Sequence, residues 1–490
     1  MSADPTTLRA AGQDAAQDAG QAAGPLAVAI VGAGPSGFYA AAALLKAFDR
    51  VEIDIIEALP TPFGLIRGGV APDHQSTKGV ARAFARTARD PRVHFHGNVK
   101  LDRDLSIAEL REAYDAVVLA VGMARDRALE IPGAGLAGVF GAAAFVGWYN
   151  GHPDFRDLDP DLDTAAACVI GNGNVAIDVA RVLVKTAEEM ADSDLADHAA
   201  RAIQAAPLRN VYLIGRRGPV QAKFTNKELT EMGTLADCAA VVDSARLPAE
   251  VSGPMPERDR RLAEKNLATL KGFAARAPDA APDAAPDAVA AKRVHFLFNA
   301  KPDAVLGEGR CAALRLERTR LMDGRAVGTG EFFEIPCGLV VSAIGYRMAP
   351  IEGLALDSAT GGIANGNGRV DPGLYVAGWA GRGPSGVIGT NKADGDRVAE
   401  LIQADFAQGG GGPQGSGPGG SGASKPGRDA LVRLLAERRV RWVGFADWER
   451  IDAAEVAAAP PGAPRRKLTR IADLLAVLDR AGHGAPVTGV

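Results

Sequence analysis

Ala27-Val28-Ala29-Ile30-Val31-Gly32-Ala33-Gly34-Pro35-Ser36-Gly37 is an apolar run that breaks into a glycine-rich turn, and its reading decides the fold. Residues 28–31 read as a buried strand. Gly32 permits a tight turn, Gly34 lets the backbone approach a pyrophosphate, and Gly37 lets the next helix pack on the strand. With Ala33, Pro35 and Ser36 between them, phosphates would face backbone N–H groups at the helix start. The spacing predicts a helix over 36–48 and a second strand over 51–56, closed by Glu57. That carboxylate stands where an adenosine ribose offers its hydroxyls. Strand, helix and strand make a βαβ unit, so a parallel, doubly wound sheet is expected.

The pattern returns, altered. Gly171-Asn172-Gly173-Asn174-Val175-Ala176 follows the apolar Cys168-Val169-Ile170. Ala176 stands in place of the third glycine, which spreads helix and strand slightly apart. A helix is predicted over 175–190, with Ile177, Ala180, Val184 and Ala187 on one face. The next strand, 211–214, is closed by no acid. Arg216 and Arg217 stand there instead, in Gly215-Arg216-Arg217-Gly218-Pro219. Two guanidinium groups suit a 2′-phosphate, so NADP is preferred over NAD; the alternative is a surface arginine pair. Two such turns imply two dinucleotides. A chain that holds two redox dinucleotides is most simply read as moving electrons from one to the other.

A third glycine-rich turn runs from Gly378 through Trp379 to Thr390, between a short strand at 374–377 and a helix predicted over 386–406. N–H groups of Gly386, Val387 and Ile388 at that helix start would face ligand oxygens. Trp379 either lies beside a flavin or nicotinamide ring or is ordinary packing. Further strands are expected at 116–121, 294–298 and 339–344. The repeat of Ala-Pro-Asp-Ala over 277–291 reads as a mobile loop, and 409–427, rich in Gly, Ser and Pro, as a flexible linker. Residues 1–24 read as a disordered tail.

The 490 residues suggest two to three domains, and a net charge of −4 gives no overall pull toward nucleic acid. Basic residues cluster locally at Arg433, Arg438, Arg439, Arg441 and Arg465-Arg466-Lys467. They read as solvated surface or as a docking face for an acidic partner. None of the four cysteines forms a C-x-x-C pair, which argues against a dithiol centre, a zinc site or a cysteine-ligated iron–sulfur cluster. Cys168 reads as core packing. No metal is expected. No run of about 18 apolar residues exists, so no membrane span is expected. The first 24 residues resemble neither a signal nor a transit peptide, and a cytoplasmic protein is expected.

The chain resembles the adrenodoxin reductase-like branch of the ferredoxin–NADP reductases. The likeness rests on 29–38, on Leu59-Pro-Thr-Pro-Phe-Gly-Leu-Ile-Arg-Gly-Gly-Val-Ala-Pro-Asp-His74, and on Phe145-Val-Gly-Trp-Tyr-Asn150. It continues through Gly97-Asn98-Val99, 169–181, 215–219, 224–232 and 378–391. The family implies an α/β chain of two Rossmann-like dinucleotide-binding domains, the NADP domain inserted into a split FAD domain. On this chain that gives FAD domain 25–125 and 344–408, NADP domain 126–343, and a small C-terminal helical subdomain 428–490. By likeness Ala33, Glu57, Gly64, Leu65, Leu101, Trp379 and Gly386 to Ile388 contact FAD. Arg127, Asn172, Gly173, Asn174, Val175, Arg216, Arg217 and Glu228 contact NADP, with Gly386 near both rings. A monomer is implied. Gln75-Ser76 depart from the family, which often has proline after His74.

In such a family NADPH delivers hydride to the flavin, and single electrons then pass to a ferredoxin-type iron–sulfur protein. Hydride transfer needs stacking and little acid–base help, and no catalytic triad is visible. His74 is the candidate for moving a proton near the flavin, because histidine as a residue type changes charge in the physiological range; the alternative is a structural hydrogen bond. Asp178 is its family-based partner. A second reading is the NADPH-oxidising flavoprotein subunit of a larger complex, like the small subunit of glutamate synthase. That group usually carries a cysteine-rich N-terminal domain, and residues 1–24 hold no cysteine. A third is an NADP-binding regulator without electron transfer, against which Glu57 and Trp379 argue.

Overall fold

The computed structural model describes residues 24–276, 291–407 and 425–480. The Ala-Pro-Asp loop, the tail expected over 1–24 and the linker over 409–427 lie wholly or almost wholly outside them. The chain divides into two compact units. The first comprises Met1–Ile66, Gly79–Met123 and Arg347–Ile451; the second comprises Arg67–Lys78, Ala124–Tyr346 and Asp452–Val490. The short Arg67–Lys78 segment thus belongs with the second unit, and the expected subdomain 428–490 is shared between the two.

The first unit is built on six strands in the order Arg369–Asp371, Leu374–Val376, Ala116–Leu119, Leu26–Val31, Val51–Glu57, Val93–Gly97. All neighbours are parallel except the first pair. Strand Leu26–Val31 has its successor on one side and a later strand on the other. Its carboxyl end is therefore a topological switch point, where open α/β sheets bind ligands. Helix Pro35–Ala47 starts there, with Gly34 as its N-cap and Pro35 in its first turn. It packs on helix Asn391–Ala407, where a Cβ on Gly395 would lie 2.7 Å from the Tyr39 carbonyl. Glycine is what lets these two helices approach.

The second unit has a six-stranded sheet in the order Val139–Gly141, Leu339–Ser342, Ala166–Ile170, Asn210–Gly215, Lys292–Phe298, Cys238–Val242, parallel throughout. Alternate residues feed two cores. Ala167, Val169, Leu213, Phe296 and Val341 meet the helices. Cys168, Ile170, Ile214 and Val340 meet a three-stranded antiparallel sheet, Ala300–Leu306, Ala313–Met322 and Arg325–Pro336. Burial on both faces explains why these strands read as continuous apolar runs. One cover is a sheet, where a doubly wound fold would place helices. Cys168 is core, as expected, and all four cysteines are buried free thiols.

Helix Asn174–Val184 is shorter than the predicted 175–190. Beyond it Thr186 and Glu189 exchange hydrogen bonds, each side chain accepting from the other's N–H, which closes a separate turn. Among the described residues no helix is long and apolar enough to cross a membrane.

Candidate functional site

In the first unit the glycines of the fingerprint divide their roles by geometry. Gly32 has φ +111°, and a Cβ there would lie 2.4 Å from the Ala120 carbonyl oxygen. A Cβ on Gly37 would lie 2.0 Å from the Gly32 oxygen. On Gly34 it would meet only the Gly64 Cα, at 3.9 Å, so that face is open to a phosphate. Gly64 follows Phe63, a non-glycine residue at φ +82° whose N–H donates to the Ala33 carbonyl at 2.8 Å. This Phe63–Gly64 turn, with Leu65 exposed beyond it, lies against the fingerprint loop.

Glu57 Oε2 accepts the Ala33 N–H at 2.9 Å and Oε1 accepts the Leu59 N–H at 3.1 Å. Burial pushes its pKa up against the pull of these N–H groups. The carboxylate thereby ties the second strand to the fingerprint turn. Its remaining lone pairs leave capacity for a ribose hydroxyl. Leu101 makes an isolated bridge to Leu105.

The third turn lies on the start of helix Pro35–Ala47. Gly378 has φ +72°, and a Cβ there would be 1.8 Å from Ser36 Oγ, which donates to Asn391 Oδ1 at 3.0 Å. Trp379 opens a short helix, Trp379–Arg382, and its indole N–H donates to the Ser385 carbonyl at 3.0 Å. The expectation of a helix start at Gly386 is corrected. Gly386 has φ +84°, the Val387 N–H donates to Thr390 Oγ1 at 3.1 Å, and a 3-10 turn over Ile388–Thr390 precedes the helix, which begins at Asn391. Val387 itself is 65% exposed.

In the second unit Gly171 has φ +145°, and its Cβ would lie 2.5 Å from the Ala343 oxygen. A Cβ on Gly173 would meet nothing within 4 Å. The middle glycine of each fingerprint is thus the one that faces space. Ala176, in the third place, is buried. The Asn172 carbonyl accepts the Lys223 N–H at 2.7 Å, and Asn174 Oδ1 accepts the Thr225 N–H at 2.8 Å. Both asparagines therefore fix the neighbouring chain beside the turn, and Val175 continues into the helix. Arg216 and Arg217 leave the end of strand Asn210–Gly215. Thr319 Oγ1 donates to the Arg216 carbonyl at 2.7 Å, and the Asn299 N–H to the Arg217 carbonyl at 3.2 Å. Neither guanidinium forms an ion pair with a described residue, and Arg216 is exposed. Arg127 is exposed too, its N–H held by the Gly345 carbonyl at 3.0 Å.

His74, Asp178 and Glu228 come together. One ligand atom from each lies within 4.8 Å of the others. His74 Nε2 is 3.0 Å from Glu231 Oε2 and 3.4 Å from Glu228 Oε2. The cation among these carboxylates is Arg181, whose side chain is 1% exposed. It forks onto Asp73 at 2.8 and 3.1 Å and contacts Glu228 at 3.2 Å. Burial works against the Arg181 charge, yet Asp73, Asp178 and Glu228 outweigh it and raise its pKa. Burial likewise opposes the Asp73 charge, but Arg181 and Lys185 hold that carboxyl well below the usual range. Asp178 differs: burial pushes it up to about 6, against Arg181. Arg181 pairs with Asp73, Asp178, Glu228 and Glu231, which makes this cluster an ion-pair network.

Sequence reading missed Asp73, Arg181, Lys185 and Glu231. The available signal was an arginine inside the apolar helix run, three residues after Asp178.

Both turns fit dinucleotides on the structure's own terms: a positive-φ glycine at the bend, open space at the middle glycine, and a helix start behind. This defines the class, a flavin- and pyridine-nucleotide-dependent oxidoreductase with FAD and NADP(H) as cofactors, and residues 26–234 match the pyridine nucleotide-disulphide oxidoreductase family. The chain belongs more particularly to the family of NADPH:adrenodoxin and NADPH-ferredoxin oxidoreductases. It is 42% identical over 474 residues to the mitochondrial NADPH:adrenodoxin oxidoreductase of Arabidopsis thaliana, covering 92% of this chain and 95% of that one. The human mitochondrial NADPH:adrenodoxin oxidoreductase is 43% identical, with 93% and 92% covered. The solved structure of Mycobacterium tuberculosis FprA in complex with NADPH superposes with a TM-score of 0.84 at 40% identity, covering 92% of this chain and 99% of that one.

Proposed function

We propose that this chain is an FAD-dependent NADPH–ferredoxin oxidoreductase that passes electrons to a small ferredoxin-type iron–sulfur protein. The carrying observation is the pairing of two fingerprint turns with opposite partners, Glu57 after the first and Arg216-Arg217 after the second. Bound FAD supplies the conversion of a two-electron hydride from NADPH into single electrons. The chain's residues do the rest. The turn from Gly32 to Gly37 binds one pyrophosphate, and Glu57 orients its ribose. Gly64, Leu65, Leu101, Trp379, Gly386, Val387 and Ile388 complete the FAD surface. Asn172, Gly173, Asn174, Val175 and Glu228 bind the NADP, with Arg127, Arg216 and Arg217 supplying positive charge. His74 holds a proton at Nε2 against Glu228 and Glu231, and Asp178 is the neighbouring carboxyl with which it exchanges.

The purified protein is expected to be yellow, and anaerobic NADPH to bleach its flavin band faster than NADH does. A ferredoxin from the same host should stimulate NADPH-driven cytochrome c reduction, with a rate that falls as salt rises. A folded, colourless protein, or a flavin that NADPH leaves oxidised, overturns the reading.

A further inference from the structure

Residues from Asp452 onward carry no cofactor motif, yet two of their side chains are among the most deeply buried charges of the second unit. Glu455 is 0% exposed and takes the Arg67 guanidinium on both oxygens, at 2.5 and 2.8 Å. Its Oε1 also accepts the Leu468 N–H at 2.7 Å. The Lys467 side chain is 1% exposed. Its ammonium donates to the Arg67 carbonyl at 3.1 Å and to Asn150 Oδ1 at 3.3 Å, and lies 3.2 Å from Asp194 Oδ2. Asp194 in turn receives Lys78 at 2.6 Å, and its N–H donates to the Pro72 carbonyl at 3.1 Å.

These contacts grip both ends of one segment. Arg67 and Lys78 bound it, and Asp73 and His74 lie between them. The middle is held separately, Asp73 by Arg181 and Lys185 and His74 by Glu228 and Glu231. Burying so many charges is costly: effective penalties are several kcal/mol per ion, and a hydrophobic core of equal volume is often as stable. Such groups serve registry, because any slipped placement leaves a buried charge unpaired. Burial, with Lys78 and Arg67 nearby, pushes the Lys467 pKa far down. Three acceptors nevertheless match the three N–H bonds of a protonated ammonium.

We propose that Lys467 and Glu455 are positioning residues: from the C-terminal segment they clamp the Arg67 end of the Arg67–Lys78 segment directly and its Lys78 end through Asp194, and so set the placement of His74 against Glu228 and Glu231. The functional consequence rests on the reading that His74 moves a proton. The groups facing His74 are Glu228 and Glu231, the latter also near Lys227, with Asp178 and Arg181 on the adjacent helix and Asp73 beside it in the chain.

The test uses full-length FAD-loaded protein with isotope-labelled histidine, the His74 signal assigned through His74→Gln. Lys467→Met keeps the aliphatic stem and removes the charge. It should bind FAD, shift the His74 titration midpoint by about 0.5 pH unit or more, and move the pH profile of anaerobic flavin reduction with KM for NADPH unchanged. Lys467→Arg should restore part of both. An unmoved His74 signal in folded Lys467→Met overturns the clamp. Should that variant fail to fold, Glu455→Gln, which keeps every heavy-atom position, takes its place in the same two measurements, and an unmoved His74 signal there overturns the clamp equally. If His74→Gln leaves the pH profile unchanged, the proton reading fails, while the His74 signal still decides the clamp.

Discussion

Arg181 and Asp178 stand one helical turn apart with Nη2 and Oδ1 at 2.9 Å, yet Asp178 Oδ1 accepts no hydrogen bond. The guanidinium spends its aligned N–H groups on Asp73 and Glu228. Arg181 is therefore the common counter-ion of carboxylates that reach it from three separate stretches of chain. Removing it strands them. Arg181→Met is expected to lower stability by ~3–5 kcal/mol, the cost of breaking a buried ion pair. Arg181→Lys should recover less than half, because a point charge cannot fork onto Asp73. Denaturant midpoints of the two variants check both values, and equal losses would argue against the fork.

The same geometry sets a pH dependence. The folded pKa of Asp178, about 6, is raised above its ordinary value of 3.8 by burial. Between those values the native state binds more protons than the unfolded chain, so this group makes stability fall as pH rises. The effect is absent below pH 3.8 and complete above about 6, and amounts to ~3 kcal/mol at most. Asp178→Asn removes the penalty. The melting temperature of the variant minus that of the parent should therefore become more positive from pH 4 to pH 7. A difference that is flat or falls over that range contradicts the assignment.

What was legible in the sequence is what short range decides. Gly32, Gly34 and Gly37 and the strand before them announce a βαβ turn because each role is fulfilled within a few residues. Local competition defeated the helix predictions. Thr390 captures the Val387 N–H and delays a helix to Asn391, and the Thr186–Glu189 exchange ends another at Val184. Of the Asp73–Arg181–Glu228 network only Arg181, a charge inside an apolar helix run, gave a signal. The members are far apart in sequence, and only the folded sheet brings the Arg67–Lys78 segment beside the second fingerprint helix. In the sequence Lys467 reads as solvated surface or a docking face, and Glu455 carries no signal, for the same reason: their partners Arg67 and Asp194 are hundreds of residues away.

Arg216 and Arg217 have backbones pinned by Thr319 and Asn299 while their guanidinium groups join no ion pair among the described residues. With no such ion pair to lose, the two guanidinium groups contribute little to folding. Replacing both by Gln should leave the melting temperature unchanged. A charge-assisted hydrogen bond is worth ~1.5–3 kcal/mol, so kcat/KM for NADPH should fall on the order of a hundredfold or more. Activity with NADH, which lacks the 2′-phosphate, should stay nearly constant. Steady-state kinetics with both nucleotides decide it, and parallel losses would exclude a 2′-phosphate role.

The glycines of the two turns separate folding from binding. At Gly32 an added Cβ collides with a backbone carbonyl at 2.4 Å and φ is +111°, so Gly32→Ala should destabilise the first unit and lose FAD together. Gly173 has φ −120° and room on all sides, so Gly173→Ala should fold with stability within about 0.5 kcal/mol of the parent. Its methyl group instead occupies the space where a pyrophosphate must approach. KM for NADPH should rise at least about tenfold, a loss of ~1.4 kcal/mol, with flavin content intact. Gly34→Ala, whose Cβ would meet only the Gly64 Cα at 3.9 Å, should do the reverse: a folded protein with an intact NADPH site and little bound flavin. Flavin absorbance, melting temperature and nucleotide affinity measured on the three variants check the scheme. If Gly173→Ala binds NADPH normally, the second turn does not hold the pyrophosphate.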